Sequence, residues 1–145
     1  MELVIEPYSC IGSICLNKSR KDIRGLFYNN FTTFHRENLE SESDHFLEST
    51  IEVEYENELS VLIAVDNQHQ VKFREKKIFE STVGQLLDYL KSFEKNLYID
   101  DVTILAIDAG ISIYFEDEIE GYPRQIGIFS KGYYDEYLNL YEKVI

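Results

Sequence analysis

The stretch from Ile51 to Val65 constrains the fold of this chain more than any other. Ile51, Val53 and Tyr55 alternate with Glu52, Glu54 and Glu56. A period of two sends the apolar side chains to one face of a β-strand and the three glutamates to the other. Asn57-Glu58 supplies a turn into residues 59–65, an almost wholly apolar run of the kind carried by a central strand covered on both faces. Asp66-Asn67 turns again into residues 71–74, where Val71 and Phe73 share a face. The expectation is a meander of three hairpin-linked strands.

The flanking segments fit around it. Residues 2–6 and 11–16 read as short strands, and Ser19 can cap a helix whose Ile23, Leu26 and Phe27 recur at helical spacing. Residues 31–36 read as a strand, and the polar stretch 37–49 as a loop. Ser81 opens an amphipathic helix to about Lys95, with Val83, Leu86, Leu87, Leu90 and Phe93 as its apolar stripe. Residues 102–107 and 111–115 form a hairpin around Asp108-Ala109-Gly110, and residues 125–129 another strand. Tyr133, Tyr137 and Tyr141 recur every four residues, which predicts a closing helix over 133–144 with the tyrosines packed on the core. Strands in runs with interspersed helices predict one α+β domain over residues 1–145, a mainly antiparallel sheet with two or three helices on one face. A chain of 145 residues, 44% hydrophobic, is long enough to bury roughly two-thirds of its unfolded surface.

Charge is distributed unevenly. The formal net charge is −13, yet residues 37–58 hold nine acids without a Lys or Arg, and residues 96–120 hold seven acids without one. Such a chain repels phosphate backbones and anionic lipid, so direct nucleic-acid and membrane partners are not expected. No apolar run approaches membrane-spanning length, and the Met-Glu start lacks a basic leader region. Cys10 and Cys15 are too few for a disulfide framework or a zinc set, so both are expected to be reduced core residues of a cytoplasmic protein.

Residues suited to catalysis are scarce. His35, His45 and His69 are not at ligand spacing, although His35 and His45 lie near acids, which leaves a dyad open. No phosphate loop, nucleophile elbow or dinucleotide fingerprint is present. Glu116-Asp117-Glu118 could offer oxygen ligands to a divalent cation but misses the EF-hand spacing. No catalytic residue, metal ligand or cofactor is assigned.

The acidic blocks fit a partner surface better. Same-face residues of a strand lie about 6.7 Å apart, so each adjacent pair among Glu52, Glu54 and Glu56 repels by about 0.6 kcal/mol in water. In the second block, Glu116, Asp117, Glu118 and Glu120 lie among Tyr114 and Tyr122. Aromatic anchors with steering charges suit recognition of a basic protein. The candidate contact residues are therefore Glu52, Glu54, Glu56, Tyr114, Glu116, Asp117, Glu118, Glu120 and Tyr122.

Three stretches carry a resemblance: Ile11-Gly12-Ser13-Ile14-Cys15-Leu16-Asn17-Lys18-Ser19-Arg20 leading into a helix, Asp108-Ala109-Gly110-Ile111-Ser112-Ile113-Tyr114-Phe115, and Arg124-Gln125-Ile126-Gly127-Ile128-Phe129. Together they resemble small cytoplasmic immunity proteins of bacterial polymorphic-toxin and contact-dependent inhibition systems. The resemblance implies a non-enzymatic inhibitor that binds and neutralises a cognate toxin domain, often a nuclease. Two other classes stand beside it: a small carboxylate-dependent metal enzyme, and a generic interaction module or homodimer.

Overall fold

A computed structural model describes residues 2–35, 42–116 and 119–145. The elements are β1 (Glu2–Glu6), β2 (Cys10–Ile11), β3 (Ile14–Cys15), α1 (Arg20–Leu26), β4 (Thr32–His35), β5 (Glu42–Phe46), β6 (Ile51–Glu56), β7 (Leu59–Asp66), β8 (Gln70–Phe73), β9 (Lys76–Lys77), α2 (Val83–Lys91), β10 (Leu97–Ile99), β11 (Thr103–Ala106), β12 (Ile111–Tyr114), β13 (Gln125–Phe129) and β14 (Glu142–Lys143). Short 3-10 segments precede α2 (Ile78–Glu80) and β14 (Asp135–Leu140). The class is α+β, with two antiparallel-rich sheets. The larger runs β14-β10-β11-β12-β13-β7-β6-β5-β4, and the smaller β3-β2-β1-β8-β9.

The alternation in β6 sets the sidedness of the large sheet. Asp44, Val53, Ile63, Ile128, Ile111, Ala106 and Leu97 stand directly opposite one another in a single cross-strand row, all buried. This face meets α1, α2 and the small sheet in one hydrophobic cluster that includes Ile5, Ile23, Phe73, Leu86 and Leu90. The neighbouring row is His45, Glu52, Ala64, Gly127, Ser112, Leu105 and Tyr98, and it points the other way. As expected from its apolar run, β7 is central, with Leu62, Ala64 and Val65 all buried.

Both helices begin where capping chemistry allows. Ser19 accepts from the Asp22 amide at 3.2 Å. For α2 the cap is Thr82 rather than Ser81, in a reciprocal capping box with Gln85. The next free amides of α2 are satisfied from outside the helix: Val83 and Gly84 donate to the carbonyls of Gly121 and Ile119 at 2.9 and 2.8 Å. This fixes the 119–121 segment to the helix-covered side of the sheet. At the β11–β12 turn Gly110 has φ +69°, and a Cβ there would sit 3.0 Å from the Tyr8 ring, so glycine is required.

Five expectations are corrected. Residues 42–46, expected in a loop, form β5, because the polar Asp44 and Ser43 are buried with partners supplied by α1 and neighbouring strands. The third meander strand leaves: β8 pairs in parallel with β1, and β13 takes the place beside β7. Residues 11–16 are not one strand but a hairpin turning at Gly12-Ser13, which sets Cys10 directly opposite Cys15. The two cysteines form a disulfide and are half-buried, not reduced core residues. The closing helix is only a 3-10 turn followed by β14, with no residue of that turn buried; it crosses the sheet face opposite α2.

Candidate functional site: a glutamate and tyrosine cleft

The C-terminal segment arches over the outer face of the large sheet without filling it. Between them lies a cleft of about 1010 Å³. Its floor is the row of small residues Ala64, Gly127 and Ser112, with Leu62 beside them. A Cβ on Gly127 would lie 2.8 Å from Ser112 Oγ, so a larger residue there would have to displace the Ser112 hydroxyl. Tyr133, Tyr134, Tyr137 and Tyr141 form one wall, and Tyr114 and Gln125 stand toward the other end. Leu62, Ala64, Leu105 and Phe129 form a thin second apolar layer on this face, buried but outside the main cluster. Phe129 packs against Tyr134 edge-on at 4.8 Å, which seats the start of the arch.

The glutamates of β6 enter the cleft at the other end. Glu52, Glu54 and Glu56 share one face, as their alternation predicts, and all three line the cavity. That face is not the open, solvated surface expected for a comb of acids: Glu54 is 5% exposed and the Glu52 side chain 15%. The Tyr133 hydroxyl donates to Glu54 Oε2 at 2.6 Å, and His45 Nε2 lies 3.1 Å from Glu52 Oε1. Among the described lining residues Glu136 adds a fourth carboxylate, and Lys131 is the cation. Its ammonium stands over the Tyr8 ring at 5.5 Å.

The second acidic block divides. Tyr114, 43% exposed, reaches the same cleft as the β6 glutamates, across two intervening strands. Glu116 pairs with Arg124 at 2.9 Å. Glu120 and Tyr122, the latter 60% exposed, flank the segment tied to α2 and do not line the cleft. Asp117 and Glu118 lie outside the described residues.

Charge that is unmixed along the sequence is mixed in space. Arg24 of α1 holds the fully buried Asp44 through two bonds of 2.7 and 3.0 Å, and Thr33 and Tyr55 donate to the same carboxylate at 3.1 and 2.9 Å. Burial works to raise the Asp44 carboxyl, but these hydrogen bonds and the guanidinium outweigh it and hold it below its ordinary value. Burial and the adjoining Asp44 charge push the Tyr55 phenol up. Arg20 bridges Glu42 and Glu58 at 3.1 and 2.8 Å. Another buried carboxylate, Glu94, accepts from the amides of Asn96, Asp108 and Ala109 at 3.0–3.1 Å and ties the end of α2 to the β11–β12 turn. Burial leaves it above its ordinary value despite those bonds.

The dyad left open by the sequence forms as His45–Glu52, with Ser49 Oγ 3.3 Å from the other ring nitrogen. Ser49 sits exposed in the β5–β6 turn at φ +68° and does not open onto the cavity, so the chain of contacts braces the turn against β6. Among the described residues no three His, Cys, Asp or Glu side chains converge as a metal site, and no helix is long and apolar enough to cross a membrane.

Sequence reasoning missed the residues that build the cavity. It placed the C-terminal tyrosines in the core, where helical spacing would have sent them, and had no reason to single out Ala64, Gly127 or Ser112. These small residues come to one level only through the β7–β13–β12 register, which no local pattern in the sequence gives. Compared with protein-family models, curated proteins and solved structures, the chain matches none.

Proposed function

We propose that this protein is a non-catalytic inhibitor of the immunity type, which binds a basic, nuclease-like toxin domain stoichiometrically and so neutralises it. The observation that supports the reading is the convergence of Glu52, Glu54, Glu56 and Tyr114 on one concave face, with Glu136 and the C-terminal tyrosines added to them. Carboxylates steer an approaching cationic protein and fix its register, while tyrosines supply contact area at low entropic cost. Glu116, Glu120 and Tyr122 stand apart from this concave face.

The test is to titrate the toxin domain encoded beside this gene with the protein and follow residual toxin activity. Neutralisation complete at equimolar ratio, with an on-rate that falls steeply with salt, supports the reading. Replacing the exposed Glu56 by Lys should slow association about tenfold. Toxin activity unchanged at large excess of the protein overturns the reading. A cytoplasmic inhibitor would hold Cys10 and Cys15 as thiols, because cytosolic reductants oppose disulfides. Thiol labelling in intact cells separates that location from an oxidising one.

A further inference from the structure

An edge of the large sheet, away from the cleft, carries an inference that does not depend on the inhibitor reading. We propose that β4 pairs antiparallel with β4 of a second copy of this chain, joining the two nine-stranded sheets across a twofold axis.

Three observations carry it. The first is the contrast between edges. A sheet edge offers unpaired amides and carbonyls to any chain that extends beside it, and proteins blunt such edges by shortening them or placing charge on them. Among the described residues the two sheets end in four edge strands, β3, β9, β14 and β4. β3 has two residues and is stapled to β2 by the Cys10–Cys15 disulfide. β9 is Lys76–Lys77 and β14 is Glu142–Lys143, both short and charged. β4 has none of these protections: Thr32-Thr33-Phe34-His35 runs four residues without an acid, a lysine, a proline or a glycine, in unbroken register with β5. Threonine and phenylalanine also favour the extended backbone that a new neighbour needs.

The second is exposure. All four residues of β4 are exposed, whereas Ser43, Asp44 and Phe46 of β5 beside it are buried. Among the described segments the β4 backbone bonds to β5 alone. Phe34 stays 46% exposed on the outer face, across from Ser43. The third is charge, which selects the occupant. A chain of net charge −13 repels its own copy over most of its surface. Beside β4 that repulsion is relieved, because Glu42 and Asp44 of β5 are met by Arg20 and Arg24 at 3.1 and 2.7 Å. A second copy therefore lies against this edge without setting acids opposite acids, while a cationic partner finds little here to steer toward. An antiparallel strand that meets its own image is centred on a residue, and a pairing that uses most of β4 is centred on Thr33 or Phe34. Either centre makes the two Phe34 rings direct or diagonal neighbours on one face of the joined sheet, where each covers the other. So short a pairing implies a weak, reversible dimer.

The experiment is sedimentation velocity of the full chain over a roughly hundredfold concentration range reaching about 1 mM, with amide exchange followed in parallel. The expected result is a reversible shift from monomer to dimer, with amides of residues 32–35 gaining protection as concentration rises. Salt should strengthen the association, because it screens the net repulsion between copies and leaves backbone pairing intact. Thr32→Lys/Phe34→Lys, with unchanged circular dichroism, should weaken the dimer at least about tenfold by charging the edge. Leu140→Lys adds the same charge at a position 71% exposed and outside β4, and should leave the dimer within about twofold. Should the double variant not fold, the concentration dependence of exchange in the unsubstituted protein decides the question. A monomer throughout the range, a dimer whose β4 amides exchange as in the monomer, a dimer that weakens with salt, or one equally strong with both lysines in place overturns the inference. A monomer whose β4 amides gain protection only when a toxin domain is added overturns it too, and assigns the edge to that protein.

Discussion

The two faces of the nine-stranded sheet are built by the same strands, and they handle carboxylates in opposite ways. On the inner face Asp44 is wholly buried, and α1 supplies Arg24 to meet it. On the outer face Glu52 and Glu54 are held by an imidazole and a phenol, at the end of a cavity whose described charged residues are four glutamates and Lys131. The inner carboxylate is part of how the sheet stays folded. The outer pair is kept at the edge of an open volume, and the sheet carries that arrangement because the inner face alone buries nearly all of the main cluster. The difference places a buried, arginine-paired carboxylate and cavity-lining carboxylates on opposite faces of one strand pair, β5 and β6.

Substitutions can test this division, beginning with the largest effect. Arg24→Met leaves Asp44 buried without its guanidinium and should cost about 3–5 kcal/mol in denaturant unfolding. Ile128→Ala on the inner face opens a void in the densest row and should cost about 2–5 kcal/mol. A loss below about 1 kcal/mol there would erase the contrast between the faces. Because the Asp44 carboxyl is held below its ordinary value, its contribution is present above the ordinary carboxylate range and disappears as pH falls through the lowered folded value. Asp44→Asn should therefore flatten the acid limb of the stability–pH curve relative to the unsubstituted protein. The Glu94 carboxyl is raised, so its contribution runs oppositely: present at low pH and lost as pH rises through the folded value. Glu94→Gln should remove that loss. On the outer face, Tyr133→Phe deletes the hydroxyl that holds Glu54 and should cost about 1.5 kcal/mol. Ser112→Ala, on the cleft floor, should stay within about 0.5 kcal/mol.

Much of the plan was legible in the residues. The alternation of β6 and the apolar run of β7 place both strands and their inner and outer faces, since side-chain period follows from backbone geometry alone. Ser19 marks the start of α1 to the residue, and the 125–129 strand is read with its observed bounds. Two of the failures are of partnership. Residues 42–46 look like a loop because isolated polar residues do, and only Arg24, twenty positions earlier, makes Asp44 tolerable inside a sheet. The same holds for β8, which has the right pattern for a meander but finds β1 instead.

The sequence by itself determined which side chains share a face, where the helices are capped, and that negative charge comes in two blocks. It also held, unread, the Gly12-Ser13 turn that sets Cys10 against Cys15. Only the tertiary structure decided which strands adjoin, which acids meet Arg20 and Arg24 and which line a cleft, and that five tyrosines gather there rather than in the core. The reason is physical. Periodicity and capping act over a few residues along the chain, whereas burial, ion pairing and cavity shape depend on contacts between segments far apart in sequence, which no local pattern specifies.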